Sequence, residues 1–192
     1  MIGNLRTYLA EQIDIPPAEI EVFIGLSKIR ELRKGHYYIR EGETPQRLAF
    51  VIEGLFRYVY LSERGDEFTK SFIPAGSFLS SYSAMVQNRG SAYFVEALED
   101  SKILEIRYQD WLRLLEANKP VWQQLLLQIL EKGFIKKEAR ERAFLLDDAE
   151  TRYQTFLDNY PGLESRIPQR MVASYIGIQP ESLSRIRKKR EA

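Results

Sequence analysis

Residues Ile167 to Arg190 read IPQRMVASYIGIQPESLSRIRKKR, and the way this stretch divides decides the fold. Met171, Val172, Ala173 and Ile176 recur at helical spacing and predict a short helix from Gln169 to Ile176. Gly177 follows where the chain must turn through positive φ, a conformation glycine adopts without steric cost. Ile178 then re-enters the core, and Gln179 is placed to cap. Pro180 suits the first position of a second helix, where its missing N–H and fixed φ cost nothing. Leu183 and Ile186 share one face of that helix, and Ser182, Arg185, Lys189 and Arg190 occupy the others. This is the pattern of a helix-turn-helix, whose second helix enters the DNA major groove with its N-terminal residues against base edges. An αα-hairpin with a solvated basic tail has the same spacing, so charge must decide between them.

From Arg166 to Ala192 there are seven Arg and Lys residues against Glu181 and Glu191, a net charge of +5. The whole chain carries +1, which leaves −4 for Met1 to Ser165. Positive charge gathered on a terminal hairpin is the electrostatic footprint of a nucleic-acid reader joined to a second domain.

The chain has 192 residues, of which 44% are hydrophobic and 12% aromatic. That is enough apolar side chain for packed cores rather than disorder. No apolar run approaches the ~18–20 residues of a membrane span, and MIGNLRTYLAEQID is not a signal peptide. A soluble, cytoplasmic protein is expected. The chain has no cysteine, which excludes disulfides, thiol nucleophiles, zinc ribbons and iron–sulfur clusters. Its single histidine, His36, cannot build a multi-histidine metal site, so a cupin-like metalloenzyme is disfavoured. Walker loops, G-x-S-x-G elbows and dinucleotide fingerprints are also missing. Neither an enzyme nor a resident cofactor or metal is predicted.

Met1 to about Ser27 alternates short amphipathic helical pieces, and Pro16-Pro17 marks a helix start. From Lys28 the period shortens. KIRELRKGHYYIREGE, RLAFVIEGLFRYVYLSERGDEFTKSFI and SAYFVEALEDSKILEI are aromatic and β-branched segments broken by turn residues. Short strands at about 8–12-residue spacing predict a jelly roll. Gly54 marks a bulge or corner and Gly65-Asp66 a hairpin tip. Helix returns at Tyr108 to Glu116, and a long helix is expected from about residue 120 to 144. On it, Trp122, Leu126, Ile129 and Gly133 fall at coiled-coil-like intervals and are read as a dimer stripe, burial against the helix's own domain being the alternative. Asp147 with Glu150 is a plausible capping pair for a helix over residues 149–160. The expected division is therefore 1–146 and 147–192.

In its order of marks the chain resembles the Crp/Fnr family of bacterial transcription regulators. Those marks are Gly35 followed by Glu41-Gly42-Glu43, then Val51-Ile52-Glu53-Gly54, then Pro74-Ala75-Gly76-Ser77-Phe78, and finally the two terminal helices. The resemblance implies an α+β fold: an N-terminal double-stranded β-helix (jelly roll) of cyclic nucleotide-binding type, a long dimerisation helix and a C-terminal, winged-helix-like helix-turn-helix. The sequence stops at Ala192, so the wing is expected to be reduced or absent. The implied partners are a second copy of the chain and palindromic double-stranded DNA. By the family match Gln179, Glu181, Ser182 and Arg185 would face bases, and Arg170, Lys188 and Lys189 would meet phosphates. Pro180 stands where cyclic-AMP-responsive members commonly carry arginine, so a different half-site is implied.

The family's phosphate cassette pairs Gly-Glu with Arg-Ser or Arg-Thr about eleven residues later. Arginine neutralises the cyclic phosphate, and glutamate takes the ribose hydroxyl. Here the two pairs fall on Ser80-Ser81 and Ser91-Ala92, and both charges are gone. A buried phosphate without its cation is costly, which predicts a regulator that does not respond to cyclic AMP. Phe78, Ser80, Ser81, Tyr82, Arg89 and Ser91 would line whatever pocket persists. That pocket either takes another small-molecule effector or is filled, with its serines satisfying turn amides. A roll that serves as a protein-interaction module without DNA binding is the remaining alternative.

Overall fold

The computed structural model describes residues 6, 7, 9–11, 13–117 and 120–191. These residues divide into two compact units: the chain through Val59 together with Phe72–Glu131, and Tyr60–Ser71 together with the chain from Lys132 onward.

In the first unit, helical residues 6, 7 and 9–11 precede α1 (Pro17–Leu26), whose first position is held by proline. Eight strands follow: β1 (Ser27–Leu32), β2 (Tyr37–Ile39), β3 (Arg47–Glu53), β4 (Leu55–Leu61), β5 (Glu67–Pro74), β6 (Phe78–Leu79), β7 (Phe94–Ala97) and β8 (Ser101–Arg107). A short helix α2 (Tyr82–Val86) interrupts them after β6, and α3 (Tyr108–Glu116) closes the series. The strands form two antiparallel four-stranded sheets, ordered β1-β8-β3-β6 and β2-β7-β4-β5. Most successive strands change sheet, so the chain winds between the two layers as the jelly-roll reading requires.

β3 shows how the layers are filled. Its side chains alternate faces, and four consecutive residues, Leu48 to Val51, are buried. Leu48 and Phe50 join Leu104 and Ile106 of β8 beneath Phe23, Trp111, Trp122 and Leu125 from the helices. Ala49 and Val51 turn the other way, to Phe56, Leu79, Val95 and Ile103 between the sheets. The corner after β3 sits at Gly54, where φ is +100° and a Cβ would meet the Ser101 Cα at 2.8 Å. The β3–β8 register shifts just before it, between Val51 and Glu53, which is the bulge expected there.

Helix α4 (Pro120–Leu146) passes from the first unit into the second, ending two residues beyond the expected stop. The break between 146 and 147 separates α4 from α5 (Ala149–Asn159), whereas the compact units part inside α4. The cap of α5 lies one residue later than expected. Asp148, not Asp147, accepts from the Thr151 N–H at 2.8 Å, while the Asp147 carbonyl accepts from Arg152 at 2.6 Å. A single 3-10 turn, Leu163–Ser165, leads to α6 (Gln169–Ile176) and α7 (Pro180–Glu191). Gly177 adopts φ +74° at the end of α6, and the Ile178 N–H reaches back to the Ala173 carbonyl at 3.0 Å.

Candidate functional site

The terminal helices are held by a small apolar core. Tyr153, Phe156, Leu163, Ile167, Met171, Val172, Ala173, Ile176 and Leu183 are all buried. Leu183 brings α7 into it, and burying one such side chain contributes about 1.5–3 kcal/mol. Tyr153 donates to Glu164 at 2.5 Å, and burial together with that carboxylate pushes its phenol up to about 12.

With Leu183 turned inward, the polar residues of α7 face out. Gln179, Glu181, Arg185, Lys188 and Lys189 are exposed and Ser182 is half-buried. Arg185 Nη2 lies 3.3 Å from Ser182 Oγ, so one reading candidate steadies another. Arg170 is exposed on the first turn of α6. Two terminal cations are engaged within the unit. Lys189 Nζ pairs with Glu150 at 2.8 Å, and this hydrogen bond and charge raise the pKa of its ammonium. Arg190 lies over the Tyr153 ring at 5.6 Å. The sequence marks Glu150 only as a capping residue, and its pairing with Lys189 is not legible there because the two stand 39 residues apart.

The cassette positions come together around α2 and the start of β7, and they bond to one another. Ser81 is 0% and Ser91 2% exposed. Their hydroxyls share a hydrogen bond of 2.9 Å, and Ser91 donates to the Tyr93 carbonyl at 2.7 Å. The Ser80 N–H donates to Tyr58 Oη at 3.2 Å, and Tyr93 Oη donates to the Ser80 carbonyl at 3.4 Å. The rings of Tyr58 and Tyr93 lie 5.0 Å apart, and burial pushes the Tyr58 phenol well up. The loop is clamped to the Glu41-Gly42-Glu43 turn: Gly42 N–H donates to the Ser91 carbonyl at 2.8 Å and Ser91 N–H to the Glu43 carbonyl at 2.9 Å. A Cβ at Gly90 would stand 2.8 Å from the Gly42 oxygen, so the approach demands glycine.

Three expected pocket residues are elsewhere. Phe78 packs edge-on against Phe50 at 5.3 Å and Phe23 at 6.3 Å, as part of the helix-side core. Arg89 is exposed, and Tyr82 is half-buried against that same core. A cleft of about 250 Å³ is lined by Arg30, Tyr38, Glu43, Arg47 and Glu105 among others, and by none of the six cassette candidates.

Of the expected dimer stripe, Trp122 lies elsewhere. Trp122 is 1% exposed and donates its indole N–H to Glu19 at 3.0 Å, so it belongs to its own core. Leu126 and Ile129 are half-buried against the same cluster. Gly133 is exposed, and a Cβ added there would meet nothing within 4 Å. The apolar side chains left open on α4 include Leu127, Leu130, Phe134 and Ile135, with Phe144, Leu145 and Leu146 at its end. Leu127, Leu130 and Phe134 fall at i, i+3 and i+7, a stripe rotated from the predicted one.

Among the described residues no group of three or more His, Cys, Asp or Glu could hold a metal ion, and no helix is long and apolar enough to cross a membrane.

Comparison with known proteins gives one consistent result. Residues 29–118 match the cyclic nucleotide-binding domain. Over 178 residues the chain is 21% identical to the cAMP-activated global transcriptional regulator CRP of Escherichia coli, covering 88% of this chain and 85% of that one. It is 25% identical over 177 residues to the fumarate and nitrate reduction regulatory protein of Vibrio cholerae, covering 84% and 68%. Among solved structures it is similar to the c-di-GMP-responsive global regulator CLP of Xanthomonas campestris, with 17% identity, 92% of both chains covered and a TM-score of 0.75. FixK2 of Bradyrhizobium japonicum gives 17% identity, 85% and 83% coverage and a TM-score of 0.73.

Proposed function

We propose that the chain, whose residues 29–118 match the cyclic nucleotide-binding domain and which is similar along most of its length to Crp- and Fnr-type regulators, is a homodimeric, sequence-specific DNA-binding regulator of the Crp/Fnr type that needs no cyclic nucleotide. The observation that carries this reading is the open polar face of α7. Gln179, Glu181, Arg185, Lys188 and Lys189 are exposed while Leu183 anchors the helix. In the groove, Arg185 would pair with guanine O6 and N7, and Glu181 would accept from cytosine N4. Arg170 and Lys188 would meet phosphates, which fix register without reading sequence. A second copy would cover Leu127, Leu130 and Phe134, and pairing two readers would match a palindromic site.

Independence from cyclic nucleotide is supported by the cassette. Ser81 and Ser91 occupy the positions of the family's glutamate and arginine and satisfy each other. Admitting a cyclic phosphate would break that bond and bury a charge with no cation beside it.

Selection of duplexes from a randomised pool, with purified protein and no added nucleotide, tests the reading. A two-fold symmetric site is expected to be enriched. Arg185→Ala should then weaken binding by about 1–3 kcal/mol and relax discrimination at one base position. Enrichment only after addition of a small molecule would replace this reading with a ligand-gated one. No enrichment under any condition would reject DNA binding.

A further inference from the structure

The reader's first helix is clasped. Within the second compact unit, residues 60–71 at the tip of the β4–β5 hairpin meet α6 and the last turns of α4. β5 is an edge strand, and an edge leaves backbone groups in want of partners. Ser174 of α6 supplies both: the Thr69 N–H donates to its Oγ at 2.8 Å, and its hydroxyl donates to the Glu67 carbonyl at 2.9 Å. Arg140 of α4 binds the same strand and the same helix. Its Nη1 donates to the Lys70 carbonyl at 2.6 Å, and its Nη2 to the carbonyls of Thr69 at 3.1 Å and Tyr175 at 2.9 Å. The guanidinium lies over the rings of Tyr175 at 4.6 Å and Phe144 at 5.0 Å.

We propose that Ser174 and Arg140 are positioning residues for DNA reading: they clasp the reader onto the β4–β5 hairpin and so fix the attitude at which α7 is presented. The inference rests on the DNA-binding reading above. Three observations support it. The chain passes between the two units three times, at 59–60, 71–72 and 131–132, so α4 is not the reader's sole tether. The clasp takes the Ser174 and Tyr175 side of α6 and leaves Gln179, Glu181, Arg185 and Lys188 exposed. A contact that silenced the reader would cover those residues. Finally, the clasp is finely balanced, because the Thr69 hydroxyl and Arg140 Nε–H are buried without a hydrogen-bond partner. Those unmade bonds offset part of the gain, which keeps the clasped state within reach of a single substitution.

The test compares Ser174→Ala with the full wild-type chain on two duplexes, one carrying the enriched two-fold site and one carrying a single half-site. Ser174→Ala removes both Ser174 bonds and is expected to weaken binding to the two-fold site roughly tenfold, with a smaller loss on the half-site and faster hydrogen exchange at the Thr69 amide. Two-fold binding needs both readers held at the right attitude, whereas one half-site does not. Ser174→Thr keeps the hydroxyl and should restore the wild-type ratio. If Ser174→Ala does not fold, Arg140→Lys keeps the charge, loses the fork, and is read in the same way. Equal losses on both duplexes, unchanged binding or tighter binding would each overturn the clasp, the last by making it inhibitory. A wild-type chain that enriches no site rejects the DNA-binding reading itself and the clasp with it.

Discussion

The cassette and the recognition helix are built from similar small polar side chains that end in opposite conditions. Around α2 and β7, Ser80, Ser81, Ser91, Tyr58 and Tyr93 donate to and accept from one another, and Ser81 and Ser91 are almost wholly buried. On α7, Ser182 touches Arg185 at 3.3 Å, and the arginine remains exposed. Polar groups that satisfy each other in the interior stabilise the native state and lose their availability to a ligand, since any newcomer must first replace their bonds. Polar groups left at the surface add little stability and keep their hydrogen bonds for a partner. The difference separates a site that has become structure from one that is still free to recognise.

The severest test of this contrast returns charge to the cassette. Ser91→Arg would bury a guanidinium where 2% of the residue is exposed, and it should destabilise the roll by about 3–5 kcal/mol, the scale of an uncompensated buried charge. Adding Ser81→Glu should recover part of that loss, because the two positions touch and their effects do not add. By comparison, Glu181→Arg on α7 should move stability by no more than about 0.5 kcal/mol. Urea melts of the four proteins measure both arms. A Ser91→Arg variant as stable as wild type would mean that the cassette opens readily and is still a site.

How much of this was legible beforehand depends on the distance between partners. The helix-turn-helix could be read because its determinants are local: Gly177 at positive φ, Pro180 at a helix start, and Leu183 three residues beyond it. Gly54 and the bulge beside it are local in the same sense. The closed cassette was half legible. The loss of both charged residues was written in the chain, but the Ser81–Ser91 bond depends on a loop fold that spacing does not specify. The stripe on α4 was misread at Trp122 because apolar periodicity fixes an angle and not which neighbour fills it. Trp122 goes to Glu19, 103 residues earlier. Arg140 was invisible for a related reason. In KKEARERA it looks like one more solvated cation, yet it takes three carbonyls from two distant segments.

The open stripe on α4 yields the next prediction. Leu127, Leu130 and Phe134 are open in the single chain, and apolar residues at this spacing on a long helix suit a second helix. Phe134→Asp should weaken self-association by at least about tenfold, as loss of a central aromatic contact does. Sedimentation equilibrium measures it, and the melting of a dilute sample should be little changed. Trp122→Phe should leave association unaltered while removing the bond to Glu19. The reverse order of effects would restore Trp122 to the interface.

The smallest effect concerns a residue lying between the two conditions. Lys189 is exposed like Arg185 and Lys188, yet its ammonium already has a partner in Glu150 at 2.8 Å. To meet a phosphate it must leave that carboxylate, so Glu150 competes with DNA for one positive charge. Glu150→Gln keeps the length and a hydrogen-bonding group but removes the competition. Binding should tighten a few-fold at low ionic strength, equally on specific and random duplexes, because phosphate contacts do not read sequence. The salt dependence should steepen by about one counterion, the increment for each phosphate neutralised. The gain should fade as salt rises, since both contacts are exposed and screened. Arg185→Ala shows the opposite signature, a change confined to one base position. If Glu150→Gln leaves the salt slope unchanged, Lys189 is a staple between α7 and α5, and it passes from the free surface to the self-satisfied interior.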